Sequence, residues 1–492
     1  MAGAAGGTGG TAPADAPAPA RVGLPRVRFA PSPTGFLHVG SARAALYNWL
    51  FARHTGGTFV LRIEDTDTER NREEWVDGIL SSLSWLGMEP DEGPYRQSER
   101  TEAYRQAVDA LWEAGHLYAC DCSREEIDAR TKGNATPGYD GFCRDLGLER
   151  RGRALRFRVP DEGVTVVHDL IRGDVTFAHE AIEDFVVVKS SGAPLFVLAN
   201  VVDDIAMDIT HVIRGEDLLP STPKGLLLWS ALEGPETALP AFAHLPLLVN
   251  ERRQKLSKRR DDVAVESYRE RGYLAPALRN YLALLGWSDP HGREILTVEE
   301  MVGSFELSEV NHAPAFFDLK KLEWMNKEYL RAMPVDDFVE ASRPWLAPDR
   351  VPWPPERFEE GMFRTMAPLV QERVAVLSEV PAMVDFLFLE EPLMDESSWA
   401  SVAADEGARA VLEAALDTYS TCEWSAEALH RATQAMADSL DRKLNKAQAP
   451  IRVAVTGRRV GPPLFQSLEV LGREAVLERL RAARDRLGGT TG

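Results

Sequence analysis

The sequence predicts an α/β protein: a parallel-sheet domain that carries an inserted α+β subdomain, followed by an all-helical C-terminal half. Three observations support this prediction. Strand-like and helix-like runs alternate near the N terminus, a cysteine-bearing segment with several strand-like runs interrupts them, and helical periodicity prevails beyond about residue 265. A chain of 492 residues is long enough for two or more domains.

The N-terminal alternation begins with a strand, a loop, a helix and a strand. The alternating run Arg26–Ala30 predicts a short strand, the proline-containing segment 31–37 cannot be helical, and apolar residues recur at helical spacing over Ala42–Leu50. Thr58–Ile63 then predicts a buried strand. Two strands joined through a helix are typical of a Rossmann-type parallel sheet, which binds ligands where its strands end.

The same alternation resumes after the interruption and then gives way to helices. Met207–Ile213 and Leu245–Val249 predict two further strands, with a helix near 223–232 between them. In the C-terminal half, the β-branched run Ile451–Val455 is the main strand-like segment. We therefore expect a helical assembly in which this run is an exception.

Composition excludes several classes of protein. The chain is 44% hydrophobic and 27% charged, which excludes collagen-like and wholly disordered proteins. No apolar stretch approaches the length of a membrane-spanning helix, so we expect a soluble protein with no membrane partner. Residues 1–20 are almost all Ala, Gly, Thr and Pro and predict a disordered leader. Four cysteines are too few for a disulfide framework, which favours a cytoplasmic location.

The loop before His38 is the clearest indication of function. A turn that leaves a parallel strand and opens a helix presents backbone N–H groups and the positive helix end to phosphate. His38 adds a donor, and Gly40 lets atoms of another molecule approach the backbone. A histidine at a helix start is more often only a cap, so this motif needs a second one.

The second motif is the basic loop 255–259. Lys255 and Lys258 lie three residues apart on a serine-containing loop, an arrangement suited to the pyrophosphate that leaves in an ATP reaction. A solvated basic turn is the common alternative. This loop, however, follows the predicted strand Leu245–Val249 of the same sheet, so both motifs can flank one crevice. Together they favour nucleotidyl transfer.

These motifs resemble those of the glutamyl-tRNA synthetase family within the class I aminoacyl-tRNA synthetases. PSPTGFLHVGS at 31–41 resembles the HIGH signature, and KLSKR at 255–259 resembles the KMSKS loop. Further matching segments are LRIEDTD at 61–67, VIRGED at 212–217, FDLKKLEW at 317–324 and IRVAVTG at 451–457. The resemblance covers roughly residues 25–485, and this combination in this order is highly specific.

The resemblance implies an activity and a domain organisation. The implied reaction is ATP-dependent activation of L-glutamate to glutamyl-adenylate, with Mg²⁺ accompanying ATP, and transfer to the 3' end of tRNA(Glu) by a monomer. The sequence leaves open whether tRNA(Gln) is also charged. The implied divisions are a leader at 1–21, a Rossmann-type catalytic domain at 22–103 and 198–265, a zinc-bearing insertion at 104–197, a stem-contact helical region at 266–332 and a helical anticodon-binding region at 333–492.

The resemblance also assigns individual residues. The catalytic positions are His38, Lys255 and Lys258; the glutamate-binding positions are Arg28, Ser32, Glu64, Asn200 and Arg214; the ATP-binding positions are Thr34, His38, Gly40, Asp217 and Lys258. Glutamate selection needs a cation that grips a carboxylate and a carboxylate that meets the ammonium. Arg28, Glu64 and Arg214 fit these needs, because all three lie at or near predicted strand ends.

A cysteine cluster predicts one structural Zn²⁺ per chain. Cys120, Cys122 and Cys143 lie close together in a chain with only one other cysteine, which favours zinc over core packing. The family resemblance nominates Tyr139 as the fourth ligand, because some members carry Cys-x-Cys followed by Tyr-x-x-x-Cys. Chemistry alone favours His116, because imidazole binds zinc more readily than a phenol does.

Alternative functions remain compatible with parts of the sequence. Glutaminyl-tRNA synthetases end in β-barrels and glutamyl-queuosine enzymes lack the helical half, so residues 330–490 disfavour both. A small-molecule nucleotidyltransferase would not need that half, and a paralogue without catalysis is the fourth possibility. The formal charge of −20 requires that a tRNA bind to a local basic face. The acidic pair Asp203–Asp204 is predicted to be structural or to cap a helix start.

One departure from the family pattern gives a test. The family usually has tyrosine where this chain has Phe196. The chain therefore lacks a phenolic hydroxyl near the substrate, and a hydrogen bond to a charged group contributes about 1.5–3 kcal/mol. We predict that Phe196→Tyr lowers the Michaelis constant for glutamate. Steady-state kinetics with glutamate as the varied substrate will measure this, and an unchanged constant would remove the inference.

Overall fold

The structure is a computed structural model that describes residues 23–67, 69–133, 138–256 and 263–488. Its strands, in chain order, are β1 Arg26–Phe29, β2 Thr58–Ile63, β3 Glu92–Arg96, β4 Leu117–Cys120, β5 Ala154–Phe157, β6 Val164–Asp169, β7 Gly173–Ala178, β8 Val186–Val188, β9 His211–Gly215, β10 Ala241–Leu245, β11 Leu248–Val249 and β12 Ala315–Phe316.

The helices follow the predicted alternation and dominate the C-terminal half. They are α1 Val39–Thr55, α2 Glu73–Trp85, α3 Thr101–Glu113, α4 Arg124–Thr131, α5 Phe196–Ala206, α6 Thr222–Glu233, α7 Val265–Glu270, α8 Ala275–Ala283, α9 Val298–Ser304, α10 Leu319–Ala332, α11 Val335–Ser342, α12 Glu360–Gln371, α13 Val380–Phe388, α14 Glu396–Ala403, α15 Ala408–Thr421, α16 Ala426–Ser439, α17 Leu444–Thr456, α18 Leu464–Leu471 and α19 Arg473–Gly488.

The chain forms two compact units. The first comprises Met1–Ser267 with Arg279–Asp318, and the second comprises Tyr268–Leu278 with Leu319–Gly492. Every strand named above belongs to the first unit, and the second unit is helical over its described residues. The predicted α/β architecture with a helical C-terminal half is therefore confirmed.

A mainly parallel sheet organises the first unit. Within the described residues, its strands follow the order β3-β2-β1-β9-β10-β6-β7. All neighbouring pairs from β3 to β6 are parallel, and β7 alone runs antiparallel to its neighbour. Strand β1 has β2 on one side and β9 on the other, so the strand order reverses there. Open parallel sheets form a ligand-binding crevice at such a reversal.

Helix α1 covers this sheet and begins at the crevice. Its apolar residues Ala42, Leu46, Trp49 and Leu50 are buried, as the helical spacing predicts. The helix contacts β1, β2 and β9. Its last carbonyls are capped by Gly56, which has a left-handed backbone with a φ of 66°.

The range predicted for the insertion contributes to two sheets. Strands β4, β5 and β8 form a separate antiparallel sheet. Strands β6 and β7 lie in the same range, yet β6 pairs with β10 in the main sheet through Asp169 and Phe242. Part of residues 104–197 therefore builds the main parallel sheet itself, because strand pairing between distant segments is decided by the fold and not by local pattern.

The strand-like run Ile451–Val455 is helical, which corrects the expectation from its β-branched residues. It lies inside α17, and Ile451, Val453 and Val455 are buried. Burial against neighbouring helices outweighs β propensity at such positions. Among the described helices, none combines the length and the apolar character that crossing a membrane requires.

Candidate active site

One cavity of about 590 Å³ lies where β1, β9 and β10 end. The predicted ligands that line it are Arg28, Ser32, Thr34, His38, Gly40, Glu64, Asn200, Arg214, Asp217 and Lys255. The fold thus brings together every described residue that the sequence analysis assigned to glutamate or ATP. The remaining assigned residue, Lys258, lies outside the described residues.

His38 caps the N terminus of α1 through Nδ1, and this contact leaves its other ring nitrogen, Nε2, as a donor. Its Nδ1 accepts a hydrogen bond from the Gly40 backbone N–H at 2.9 Å. Because Nδ1 is the acceptor, the proton of the neutral ring is on Nε2. A Cβ at position 40 would lie 3.2 Å from Nδ1, so a larger residue there would press on the histidine ring. The long helix behind this cap supplies a positive end for an anion.

Both flanks of the basic loop lie beside the His38 turn. Leu256 lines the cavity, and the Lys255 Nζ lies 3.0 Å from Asp217 Oδ2. On the other flank, Ala264 forms a backbone bridge with His38, and Val39 donates to the Val263 carbonyl at 2.8 Å. The described flanks of the basic loop are therefore distant from the His38 turn in sequence but close to it in the fold.

A buried ion-pair network lies beneath the cavity. Asp204 accepts hydrogen bonds from Arg28 Nε at 3.1 Å and from Arg62 Nη1 at 2.7 Å, and Arg62 Nη2 donates to Asn200 Oδ1 at 2.6 Å. We call Arg28, Arg62, Asn200 and Asp204 the arginine–aspartate network. Burial acts to raise the pKa of the Asp204 carboxyl, but the two guanidinium groups outweigh it and leave that pKa below its usual value.

The neighbouring Asp203 belongs to a second buried cluster. Its carboxylate accepts from Gln97 Nε2 at 2.8 Å, Arg100 Nε at 2.5 Å and Tyr104 Oη at 2.9 Å. Asp203 and Asp204 lie near the C-terminal end of α5. The structural interpretation of this pair agrees with these contacts, whereas the helix-start cap is wrong, because both carboxylates are occupied by distant side chains.

The two arginines predicted to bind glutamate have different partners. Arg28 is paired with Asp204, whereas no carboxylate of the described residues lies within 4 Å of the Arg214 guanidinium. Arg214 donates instead to His244 Nε2 at 3.3 Å and to Thr222 Oγ1 at 2.9 Å. Burial, together with the charge of Arg28, lowers the pKa of Arg214 to about 10. Arg214 is therefore still cationic at neutral pH and is suited to an anionic ligand.

Glu64 lies at the same wall and follows directly on β2. Burial raises the pKa of its carboxyl, and the nearby Arg62, at 3.8 Å, together with Asn200 only partly opposes that effect. A cationic ligand group at Glu64 would supply the missing stabilisation of the ionised form.

Phe196 borders the cavity at the position where the family pattern differs. It is the first residue of α5, lines the cavity and is 37% exposed. Its backbone carbonyl accepts from Asn200 Nδ2 at 3.3 Å. The ring therefore lies beside the predicted glutamate contacts.

The three cysteines of the predicted zinc site converge in the insertion. Their Sγ atoms lie within 4.8 Å of one another, and Cys122 and Cys143 are 3.4 Å apart. Tetrahedral Zn–S bonds of about 2.3 Å require S···S separations of about 3.8 Å, so the thiols fit a zinc ion. Among the described residues, no His, Asp or Glu completes this group.

Tyr139 lies next to the thiols and His116 does not join them. The Tyr139 Oη is 3.6 Å from Cys120 Sγ and accepts from the Cys143 backbone N–H at 2.7 Å. The His116 ring instead stacks on Phe157. Arg156 Nε donates to Cys120 Sγ at 3.3 Å, which favours a thiolate at this position.

Arg62 is the positioning residue that sequence reasoning missed. It is 0% exposed and makes the closest contacts to Asp204 and Asn200. A charged residue in the middle of the apolar run Thr58–Ile63 was the available signal, since an arginine in a buried strand needs a carboxylate partner.

Comparison with known proteins identifies the family. Residues 25–324 match the model described as tRNA synthetases class I (E and Q), catalytic domain, and residues 337–484 match an anticodon binding domain. The chain therefore belongs to the class I tRNA synthetases of the E and Q group, as its motifs indicate.

Several similar proteins are glutamate–tRNA ligases. Glutamate–tRNA ligases from Frankia casuarinae and Salinispora arenicola are each 56% identical over 470 residues, covering 95% and 94% of this chain and 99% of each relative. The glutamate–tRNA ligase of Thermobifida fusca is 55% identical over 470 residues, covering 94% of this chain and 98% of its own.

Two solved structures are similar to this chain over most of its length. A crystal structure of a glutamate tRNA ligase from Elizabethkingia meningosepticum in complex with its amino acid has a TM-score of 0.81 and 31% identity. The glutamate-tRNA synthetase of Elizabethkingia anophelis has a TM-score of 0.80 and 31% identity. Each match covers 94% of this chain and 100% of the other.

The buried network predicts a large stability cost at Asp204. Asp204→Ala leaves the Arg28 charge without its carboxylate and removes the carboxylate closest to Arg62, and breaking a buried ion pair in this way costs about 3–5 kcal/mol. Urea denaturation should show that decrease in the free energy of unfolding. The control is Asp145→Ala, which removes an exposed ion pair with Arg158 and should cost about 0–1 kcal/mol. Equal costs for the two variants would contradict the role of the network.

Proposed function

We propose that this chain is a glutamate–tRNA ligase. The observation that carries the proposal is the cavity of about 590 Å³ at the strand reversal, because a cationic Arg214, a buried Glu64 and the donor of His38 all line it. Family membership and the names of the relatives support the same reaction. Class membership also implies ATP and Mg²⁺.

Glutamate would bind on the arginine side of the cavity. Arg214 has no carboxylate partner among the described residues, so it is the group best suited to the substrate's side-chain carboxylate. Glu64 would bind the ammonium group, because that charge offsets the burial that raises its pKa. Ser32 and Asn200 line the same side and would add polar contacts. Arg28, fixed by Asp204, would add positive potential nearby.

ATP would bind on the His38 side. The α1 N terminus and the Nε2–H of His38 would face the phosphates, while Thr34, Gly40 and Asp217 line the same wall. Lys255 and Lys258 would neutralise the leaving pyrophosphate. Supporting this role, both described flanks of the loop contact the His38 turn or the cavity.

This arrangement suits a two-step reaction. The α-carboxylate oxygen of glutamate attacks the α-phosphorus of ATP, the bond to the bridging oxygen breaks, and pyrophosphate leaves. A terminal ribose hydroxyl of tRNA then attacks the glutamyl carbonyl and AMP leaves. No covalent enzyme intermediate is needed, so positioning and charge neutralisation supply the catalysis. The helical second unit would contact the anticodon arm, in line with its family match.

The reaction has a direct test. The purified chain should catalyse ATP–pyrophosphate exchange that depends on both glutamate and tRNA(Glu). Arg214→Ala should lower kcat/KM for glutamate by about tenfold or more, because it removes a charged hydrogen bond to the substrate. It should change KM for ATP by less than about twofold. Arg124→Ala, on the exposed side of α4, is the control.

Comparing aminoacylation of purified tRNA(Glu) and purified tRNA(Gln) decides whether both are charged.

No exchange with glutamate, or exchange that proceeds equally with another amino acid, would contradict the proposal. An equal loss for Arg124→Ala and Arg214→Ala would contradict the assignment of Arg214.

We also propose that Cys120, Cys122, Tyr139 and Cys143 hold one structural Zn²⁺. The convergence of the three thiols and the position of the Tyr139 hydroxyl beside Cys120 support this set. A bound ion would join the end of β4 to the loop that carries Cys143, and so stiffen the insertion.

Metal analysis tests the zinc proposal. The protein should contain about one equivalent of zinc, and Tyr139→Phe should release zinc to a chelator faster than the parent protein because it removes one ligand. The His116 ring stacks on Phe157, away from the thiols, so His116→Gln should release zinc at the same rate as the parent protein. Less than half an equivalent of zinc, or faster release from His116→Gln only, would contradict the proposed ligand set.

A further inference from the structure

A buried Asp–His pair lies directly behind Arg214. Asp169, His244 and Arg214 occupy the neighbouring strands β6, β10 and β9. His244 Nδ1 is 2.6 Å from Asp169 Oδ2, and Arg214 Nε donates to His244 Nε2 at 3.3 Å. His244 is 0% exposed and Asp169 is 5% exposed. Neither residue lines the cavity.

The contacts of Asp169 stabilise its ionised form. Its Oδ1 accepts the backbone N–H groups of Ile171 and Arg172, at 3.0 and 2.9 Å, and its Oδ2 accepts that of His244 at 3.0 Å. Burial acts to raise the pKa of the Asp169 carboxyl, but these hydrogen bonds and the one from His244 outweigh it and leave that pKa below its usual value. The carboxylate is therefore ionised at neutral pH, and the hydrogen bond to His244 Nδ1 is donated by the ring. His244 consequently carries its proton on Nδ1.

This tautomer leaves the Nε2 lone pair facing Arg214. The lone pair accepts from Arg214 Nε, and Thr222 Oγ1 lies 3.0 Å from the same nitrogen. Burial lowers the pKa of His244, and the charges of Arg214 and Arg172 act in the same direction against the opposing effect of Asp169. The ring is therefore neutral at neutral pH. If Nε2 carried the proton instead, its N–H would face the Arg214 Nε–H, and two donors would meet without an acceptor.

The guanidinium group of Arg214 is consequently held along one of its edges. Its Nε and Nη2 are engaged by His244 and Thr222, and no hydrogen bond within the described residues uses Nη1. An arginine side chain otherwise loses considerable rotamer entropy when it binds a ligand. Holding one edge before binding reduces that loss and directs the other edge to the cavity.

We propose that Asp169 and His244 are positioning residues that orient Arg214 for the carboxylate of the substrate. The inference rests on the proposed function, in which Arg214 binds glutamate. It assigns a role in substrate affinity to a strand, β6, that lies in the predicted insertion. The pair acts through Arg214 and makes no contact with the substrate.

Two amide variants separate positioning from packing. His244→Gln can place its carbonyl oxygen near the Nε2 position and keep an acceptor for Arg214, whereas His244→Asn can keep a donor to Asp169 but does not reach Arg214. We expect His244→Asn to raise KM for glutamate by about tenfold or more and His244→Gln by about threefold, each with less than about a twofold change in KM for ATP. Both variants lose an imidazole from the same buried position.

The matched control is His168→Asn. His168 pairs with Asp174 at 2.8 Å on the exposed side of the β6–β7 pair, so the change removes a His–Asp contact without touching Arg214. Its KM values should equal those of the parent enzyme. Equal increases in KM for glutamate in the two His244 variants, or parallel increases in KM for ATP, would overturn the proposal and indicate a purely structural pair.

A second measurement does not depend on activity or on the variants. The ¹⁵N chemical shifts of the His244 ring in the parent enzyme should show the Nδ1–H tautomer at neutral pH. An Nε2–H tautomer or an imidazolium would overturn the proposal. If the parent enzyme shows no glutamate-dependent exchange, the proposed function fails, and the inference with it; an exchange-active enzyme with the wrong tautomer overturns the inference alone.

Discussion

The shape of the candidate site depends on one constraint: arginine charges buried beneath the cavity must be balanced by carboxylates from other segments. Asp204 does this for Arg28 and Arg62, joining β1, β2 and α5 by hydrogen bonds across 176 and 142 positions of sequence. Removing these charges from water is costly unless the partners are held closely. The network therefore ties the geometry of the sheet edge to the geometry of the ligand cavity.

The strand reversal at β1 explains why two distant arginines face the same space. Arg28 lies on β1 and Arg214 on β9, which are adjacent in the sheet although the insertion separates them in the chain. Arg28 is ion-paired with Asp204, whereas Arg214 donates hydrogen bonds to the neutral groups of His244 and Thr222. Arg28 is therefore fixed by a carboxylate that it shares with Arg62, and Arg214 faces the cavity without a carboxylate partner among the described residues.

Several sequence predictions were correct because they rested on local patterns. The non-helical, proline-containing loop and the apolar spacing of α1 are determined by residues a few positions apart. The failures arose where distant contacts decide. The helical state of Ile451–Val455 follows from burial within a helical cluster, and the pairing of β6 with β10 depends on strands more than seventy residues apart.

The sequence by itself determined the protein class and the chemical types at the site, because short motifs carry the histidine-bearing turn, the paired lysines and the clustered thiols. Only the tertiary structure decided the electrostatic state of each group. Arg28 is paired with Asp204, Arg214 has no carboxylate partner within the part of the chain that the structure describes, the pKa of Glu64 is raised, and His244 is neutral. The reason is physical, since burial and charge pairing depend on which segments meet in space, and no local pattern specifies that.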